Sequence, residues 1–547
     1  MSEELLLALV CAPRRRDHLF ELADAVSDAA GPQRGQHLSR AALLDRTLPP
    51  PAERDRVRAW LEAQALGPIL PGDGRVFLVR TTAARVAEVL GDDPARAMDR
   101  LPSPIAGLVA GFLTLRAPEL LQPVGSTPDN PPAVLPGPTP GYAPAELRRV
   151  YNFPEDLDGT GETIGVMSLG GRLHRADLQA FCHACGVPTP EVHEVQLGHP
   201  GQGSRLHDLE LAISTQWIAA MAPGARIVVY HVHPGTLGDA WSAWMLALLE
   251  DAEHAPTIAS TTWIAAERAH SRQHGRRLFR VLLAQAAAVG VSVVSASGDW
   301  GPLGGVPRDV RDGRAVLDAP WPQGVFPATE DRLLSVGGTM ITTLRPLTEQ
   351  VWSAPPPPGL EGVLHYARVA SSGGFSDHVP VPAWQRPHLR PWYARGDGPA
   401  VVPYGRGYPD VAMIASGPGV QRTPGGPLTG TGCRMVYRGR WLDHAGGTSL
   451  GAPIWAAILA LANQARRAAG RPRLGAPAPA LYALADAQPS AFRRVLEGSN
   501  RVAARALDGS GRASFRWFQG YDPAHGWDPV TGLGVPDVAA VVAGLSR

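Results

Sequence analysis

A serine that follows two glycines and a threonine, and precedes a long apolar run, is the feature that most constrains this sequence. The residues Gly446 to Ser449 lead directly into the run Leu450 to Ala462, in which large apolar residues recur at helical spacing. Pro453 falls in the first turn of this predicted helix, where proline is tolerated. A hydroxyl at Ser449 would lie beside unpaired backbone N–H groups, which suit a developing oxyanion. The alternative is a Ser/Thr cap on an ordinary core helix.

The composition bounds the classes of function. The 547 residues exceed one ordinary domain, and 44% of them are hydrophobic, so we expect two domains with a large core. The net charge is +1 and no dense basic block occurs, which argues against nucleic acid as a partner. All 51 basic residues are arginine. The lack of lysine excludes a Ser–Lys dyad and a Schiff-base lysine.

The cysteines predict neither a disulfide scaffold nor a metal site. Four cysteines are too few to stabilise a chain of this length by disulfide cross-links. Cys182 and Cys185 form a pair on a predicted helix, Leu173 to Cys185, but no second pair of ligands lies nearby. We therefore interpret the pair as structural.

The N-terminal segment does not fit a secretory signal peptide. In residues 1–16 acidic side chains precede a short apolar stretch and arginines follow it, which is the reverse of the signal-peptide order. No apolar segment is long enough to cross a bilayer. We expect no membrane partner and a monomeric chain, and we assign no compartment.

The chain divides at a proline-rich stretch without periodicity, residues 117–145, which predicts a linker. Residues 1–116 combine helical patterns with short apolar strands and predict a small α+β domain. Residues 146–547 alternate short apolar strands with helical segments, which predicts an α/β domain with a mostly parallel sheet. Active residues are then expected at the carboxyl ends of strands. A second proline run, Pro355 to Pro358, predicts a surface loop.

Several segments, in consistent order, resemble the sedolisin family, the serine-carboxyl peptidases. They are residues 142–170, 297–301, 326–339, 349–352, 372–385, 409–412, 446–464 and 526–536. The resemblance implies a subtilisin-like domain over residues 146–547, preceded by an inhibitory propeptide over residues 1–116 and a processing site in the linker. It also implies polypeptide substrates, with the chain's own propeptide as a partner. An extracellular location would follow from family analogy alone.

The resemblance assigns three catalytic residues. Ser449 corresponds to the nucleophile, and counting back from Ala222–Ala225 places the general base on Glu210. Asp299 corresponds to the residue that stabilises the oxyanion, which requires a protonated carboxyl and favours acidic pH. The alternatives are an exposed helix carboxylate for Glu210 and a strand-end turn for Asp299. Trp300 stands where family members commonly carry serine, which alters the local pocket.

The sequence departs from the family next to the base. Ser214, four residues after Glu210, replaces an aspartate that shares a proton with the glutamate and fixes its rotamer. His207 is a candidate substitute at the i−3 position. Two interpretations stay open: a weakened serine endopeptidase, or an impaired homologue that binds peptides. A histidine-based hydrolase is disfavoured because the 17 histidines include no HGTH-type segment.

Two further segments match the family with changes. The family's calcium site would use an aspartate at position 494 and carbonyls near the C-terminus, but Arg494 and Ala524 replace two of its residues, while Gly526 and Asp528 remain. A guanidinium cannot be a calcium ligand, so we predict no metal or other cofactor, with calcium as the alternative. An Arg494–Asp528 ion pair is expected instead. The segment Ser372–Ser376 resembles the substrate-side loop, although a plain turn fits equally well.

Overall fold

The computed structural model describes most of the chain, in thirteen ranges. These are residues 4–72, 74–91, 97–116, 141–197, 204–232, 240–268, 275–304, 309–311, 314–317, 322–355, 366–421, 428–507 and 512–547. Most of the predicted linker, residues 117–140, and most of the second proline run lie outside the described residues.

The helices and strands have the following bounds. The α-helices are Arg16–Ser27, Arg40–Thr47, Pro51–Ala63, Ala83–Leu90, Ser103–Ala106, Pro144–Val150, Arg175–Cys185, Arg205–Met221, Ala240–Glu250, Gly275–Ala288, Thr448–Ala468, Ala478–Ala487 and Val538–Leu545. The strands, numbered in chain order, are β1 Glu4–Cys11, β2 Val76–Thr82, β3 Val109–Arg116, β4 Thr163–Ser168, β5 Val192–Leu197, β6 Arg226–Val232, β7 Ile258–Thr261, β8 Ala265–Ala266, β9 Ser292–Ala296, β10 Asp309–Arg311, β11 Arg314–Val316, β12 Val325–Phe326, β13 Leu334–Leu344, β14 Leu347–Val351, β15 Ser353–Ala354, β16 Tyr366–Ala370, β17 Gly374–Phe375, β18 Tyr393–Arg395, β19 Gly398–Val401, β20 Gly407–Tyr408, β21 Val411–Gln421, β22 Leu428–Thr431, β23 Cys433–Tyr437, β24 Arg440–Ala445, β25 Phe492–Arg493, β26 Val502–Leu507, β27 Ala513–Phe518 and β28 Val535–Pro536.

A mostly parallel sheet forms the centre of the larger domain. Its strand order is β22-β21-β13-β9-β7-β4-β6-β5, and β14 pairs with β13. The six pairs from β21 across to β5 are parallel, whereas β22 and β14 run antiparallel to their neighbours. The inner strands are rich in Val, Ile and Ala and are buried along their length, as expected for a sheet that is covered on both faces. The observed sheet confirms the predicted α/β class.

Two hydrophobic cores cover the two faces of the sheet. Strand β6 shows the alternation: Ile227 and Val229 belong to one core, while Val228 and Tyr230 belong to the other. The first core contains the Thr448–Ala468 helix, which is buried over almost its whole length. Because this helix lies in the core, its first turn has a fixed position at the edge of the sheet.

The N-terminal domain has its own small sheet and core. Strands β2, β1 and β3 form an antiparallel sheet in that order, covered on one face by helices 51–63 and 83–90. Its other face packs on the helix Gly275–Ala288 of the larger domain, where Val10 and Leu113 meet Leu278. Asp24 forms an ion pair of 2.7 Å with Arg332 across the same interface. The two domains therefore share a continuous apolar contact.

The residues that follow the undescribed segment are held on the larger domain. The N–H of Tyr142 donates to the carbonyl of Gly432 over 3.1 Å, and the N–H of Arg434 donates to the carbonyl of Tyr142 over 2.9 Å. Backbone pairing of the larger domain is thus already present at Tyr142. The four cysteines, all within the described ranges, form no disulfide with one another, and burial raises the pKa of Cys182 to about 12. No helix in the described ranges is long and apolar enough to cross a membrane.

Candidate active site

The first turn of the Thr448–Ala468 helix presents Ser449. Gly447 precedes the helix with a φ of 71°, and Ser449 itself is 7% exposed. The backbone of Gly451 packs against Val336 of strand β13, where a Cβ atom would lie 2.9 Å from the valine methyl carbon. The predicted position of Ser449 at the start of a buried helix is therefore observed.

Asp299 lies against the same turn. It follows strand β9, and its Oδ1 accepts hydrogen bonds from the Thr448 N–H over 2.9 Å and from the Thr448 hydroxyl over 2.8 Å. A Cβ atom at Gly447 would lie 2.4 Å from Asp299 Oδ2, so only glycine admits the carboxyl group here. Burial raises the pKa of Asp299 to about 6, although the two hydrogen bonds from Thr448 oppose the rise.

Glu210 approaches Ser449 from the helix Arg205–Met221, which contacts the Thr448–Ala468 helix within the first core. Burial raises the pKa of Glu210 to about 7, and the charge of Asp299 adds to this rise. The hydroxyls of Ser449 and Thr262 oppose this rise in part. The hydroxyl of Ser449 and the charge of Asp299 both act on the pKa of Glu210, so the structure brings the three predicted residues together.

Among the described residues, one oxygen of the Glu210 carboxyl has no hydrogen-bond partner. Its Oε2 is buried and accepts no hydrogen bond from any described residue. Ser214 does not supply one, because its hydroxyl donates instead to the backbone carbonyl of Glu210 over 3.0 Å. The position that the family fills with a carboxyl group is therefore occupied by a side chain that turns back onto its own helix.

His207 is not a substitute for that carboxyl group. Its ring packs edge-on against Trp263 with 5.0 Å between ring centroids, and no hydrogen bond or ion pair among the described residues joins it to Glu210.

Thr262, a buried residue that directly follows strand β7, also acts on the pKa of Glu210 but was not identified from the sequence. Its place at the carboxyl end of a parallel strand was the available signal.

The predicted substrate-side segment, Ser372–Ser376, is joined to the strand end that carries Asp299. Ser372 donates its N–H to the carbonyl of Gly298 over 2.7 Å and accepts from the Trp300 N–H over 3.0 Å. The hydroxyl of Ser297 donates to the carbonyl of Ser372 over 2.8 Å. The segment is therefore a fixed wall beside the site and not an isolated turn.

The expected Arg494–Asp528 ion pair is not formed. Arg494 Nη1 donates to the carbonyls of Gly526, over 2.8 Å, and Leu533, over 2.6 Å. The carboxylate of Asp528 accepts from neighbouring backbone N–H groups and from Thr531. The prediction of a direct pair was wrong because nearer donors satisfy the carboxylate. Within the described ranges, no group of three or more His, Cys, Asp or Glu side chains is arranged to hold a metal ion.

The fold and the serine–carboxyl arrangement define a class, the serine peptidases that use carboxyl groups, and comparisons with known proteins identify the family. Residues 1–93 match the family described as "Pro-kumamolisin, activation domain". Kumamolisin from Bacillus sp. (strain MN-32) is 33% identical over 406 residues, which cover 72% of this chain and 62% of that protein. Tripeptidyl-peptidase 1 from Homo sapiens is 26% identical over 594 residues, which cover 100% of this chain and 92% of that protein.

A solved structure agrees on the fold. Pseudomonas sedolisin, a serine-carboxyl proteinase solved with two molecules of pseudo-iodotyrostatin, matches with a TM-score of 0.55 at 22% identity. The match covers 74% of this chain and 98% of that chain. The chain belongs to the sedolisin family of serine peptidases. The predicted family, the subtilisin-like fold and the presence of a propeptide domain are confirmed, while the boundaries at residues 116 and 145 stay predictions.

Proposed function

We propose that this chain is the zymogen of a serine-carboxyl endopeptidase, in which Ser449 is the nucleophile, Glu210 the general base and Asp299 the oxyanion donor. The observation that carries the proposal is the convergence of the three groups at one helix start. Burial raises the pKa values of both carboxyl groups to about 7 and about 6. Perturbed carboxyl groups beside a buried serine are typical of acid–base catalysis.

The reaction would proceed by acyl transfer. Ser449 Oγ attacks the peptide carbonyl carbon while Glu210 accepts its proton, and the carbonyl oxygen becomes an oxyanion. Protonated Asp299 donates a hydrogen bond to this oxyanion. Glu210 then gives the proton to the leaving amine, and the C–N bond breaks. Water, deprotonated by Glu210, hydrolyses the acyl-enzyme ester and releases Ser449.

This mechanism needs one carboxyl group ionised and the other protonated. Glu210 must be ionised to accept a proton, and Asp299 must be protonated to donate one. Both groups are ionised well above pH 7, and both are protonated well below pH 6. The form with ionised Glu210 and protonated Asp299 therefore reaches its largest population between these values. Because the pKa of Glu210 is the higher of the two, the single proton lies mainly on Glu210, and this active form is the minor tautomer of the pair. A mildly acidic optimum follows.

The N-terminal domain would act as the chain's own inhibitor and folding partner. It covers the helix Gly275–Ala288 through an apolar contact, and its match to an activation domain supports the role. We propose that maturation cuts the chain within residues 117–145. Because the backbone of Tyr142 is paired with Gly432 and Arg434, and the carbonyl of Gly141 accepts from the Arg434 side chain, we expect the cut before residue 141.

A second candidate is an impaired homologue that binds peptides without cutting them. It is favoured by Glu210 Oε2, which accepts no hydrogen bond from the described residues, and by Ser214, which leaves the base without an orienting carboxyl group at that position. The intact trio of Ser449, Glu210 and Asp299 favours activity.

One experiment separates the two candidates. The purified full chain is incubated from pH 3 to pH 7, and the products are identified by intact mass and N-terminal sequencing. The proposed enzyme releases an N-terminal fragment of about 13 kDa with first-order kinetics, and the Ser449→Ala variant does not. A parent chain that stays whole at every pH, and cleaves no unfolded protein added to it, supports the binding candidate instead.

A further inference from the structure

A partly buried arginine, Arg494, lies near the C-terminus and donates hydrogen bonds to a loop. Arg494 follows strand β25, and its guanidinium reaches into the loop of residues 524–533. There its Nη1 donates to two carbonyl oxygens, those of Gly526 and Leu533, which lie at opposite ends of the loop. One charged donor therefore draws both ends of the loop together.

The acidic residue of the same loop is fully satisfied without a metal. Asp528 is 1% exposed, and its Oδ1 accepts from the N–H groups of Val530, over 2.9 Å, and Thr531, over 2.7 Å. Its Oδ2 accepts from the Ala524 N–H over 3.1 Å and from the Thr531 hydroxyl over 3.0 Å. Each carboxylate oxygen thus has at least two donors, which is the capacity expected of it.

These residues do not fit the calcium ion that the family would place here. Calcium requires about six to eight oxygen ligands at about 2.3–2.6 Å, most of them from carboxylates and carbonyls. The carbonyl of Gly526 already accepts from Arg494, and the oxygens of Asp528 already accept from four groups of the loop. A guanidinium at the centre would also repel a divalent cation.

We propose that Arg494 replaces a calcium ion as the cation that clamps the loop of residues 524–533, so that the fold needs no metal. The clamp rests on the contacts of Arg494 and Asp528 and is independent of the proposed activity. The guanidinium places a positive charge near the Asp528 carboxylate and binds the carbonyl oxygens of Gly526 and Leu533. A bound metal cation would act on carboxylate and carbonyl oxygens in the same way.

The clamped loop supports the substrate-side segment. Pro529 lies so close to Gly373 that a Cβ atom on Gly373 would be 2.0 Å from the Pro529 carbonyl oxygen. The Ser371 hydroxyl donates to the carbonyl of Val530 over 3.4 Å, and the Trp527 indole N–H donates to the carbonyl of Pro409 over 3.0 Å. Loosening the loop would therefore move the wall beside Asp299.

Thermal unfolding tests the clamp. The melting temperature of the full chain is measured with 5 mM calcium chloride and with EGTA, at one ionic strength and at pH 7. For the parent, the two curves should coincide, because a site that does not bind calcium gains no stability from it. A parent that melts several degrees higher in calcium than in EGTA overturns the proposal.

Substitution of the arginine gives the second arm. Arg494→Asp restores a potential ligand and removes the clamp, so in EGTA it should melt roughly 5 °C or more below the parent. Calcium, but not magnesium, should recover part of that loss. Arg494→Lys, the matched control, keeps the charge without the planar guanidinium and should melt between the two without responding to calcium. If Arg494→Asp has the same melting temperature as the parent in EGTA, Arg494 does not stabilise the loop and the proposal fails. If that variant does not fold, the effect of calcium on the melting temperature of the parent decides the question.

Discussion

Ser214→Asp is the substitution that should repair the general base. Glu210 Oε2 is buried and receives no hydrogen bond from the described residues, and Ser214 lies one helical turn further on. An aspartic acid at that position lies on the same helical face and can donate its proton to the free oxygen. The hydroxyl that is lost bonds only to a helix carbonyl, which water or the helix itself can replace at little cost.

The size of the effect follows from one hydrogen bond to a charged group. Such a bond contributes about 1.5–3 kcal/mol. Since about 1.4 kcal/mol corresponds to a factor of ten, the variant should cleave peptide roughly 10- to 100-fold faster than the parent. The same bond favours the ionised form of Glu210, so it lowers a pKa that burial holds at about 7 and extends activity toward lower pH.

The assay is cleavage of a quenched fluorescent peptide from pH 3 to pH 7 by the processed protein. Ser214→Ala is the matched control, because it removes the hydroxyl without adding a carboxyl group and should resemble the parent. Ser214→Asp combined with Ser449→Ala excludes a contaminating peptidase. If Ser214→Asp is folded and no faster than the parent at any pH, Glu210 is not limited by its missing partner and the reasoning fails.

Three more predictions concern the same site. Asp299→Ala should lower kcat by about 10²–10³-fold. Asp299→Asn keeps a hydrogen-bond donor that does not titrate, so the activity of this variant should persist above pH 7. Equal losses of kcat in the two variants at pH 7.5 would contradict this. The parent's kcat/KM should peak between the pKa values of about 6 and 7, and a rise continuing to pH 9 would exclude a protonated Asp299. Gly447→Ala should abolish activity and lower the free energy of unfolding by about 1–3 kcal/mol in urea, because its Cβ would meet Asp299 Oδ2; wild-type kinetics would refute the contact.

Local patterns were enough to predict the elements that position the site. The apolar run after Ser449 predicted a buried helix, and the helix Thr448–Ala468 is observed. The alternation of strands and helices predicted the parallel sheet, which places Asp299 at the carboxyl end of strand β9. These features follow from burial periodicity, which a single sequence displays directly.

The partners of the site residues were harder to predict, because they depend on backbone groups that have no sequence signature. The sequence indicated that Arg494 would pair with Asp528, but its guanidinium donates hydrogen bonds to the backbone carbonyls of Gly526 and Leu533 in the same loop instead. Likewise, nothing in the sequence distinguishes a Ser214 hydroxyl that faces Glu210 from one that bonds to its own helix. Position relative to the family motifs was enough to predict which residues form the site, but the hydrogen bonds that these residues make are seen only in the packed structure.

The central claim, that Ser449 is a nucleophile with Glu210 as its general base and Asp299 as its oxyanion donor, is tested most directly by trapping the acyl-enzyme. The processed protein is mixed with a peptide p-nitrophenyl ester at pH 6 and quenched with acid within milliseconds to seconds, and the adduct is located by peptide mass mapping. We predict a burst of nitrophenol approaching one equivalent and an acyl group on Ser449, with the adduct strongly reduced in Glu210→Gln. An adduct on another residue, or the same burst from Ser449→Ala, would contradict the account.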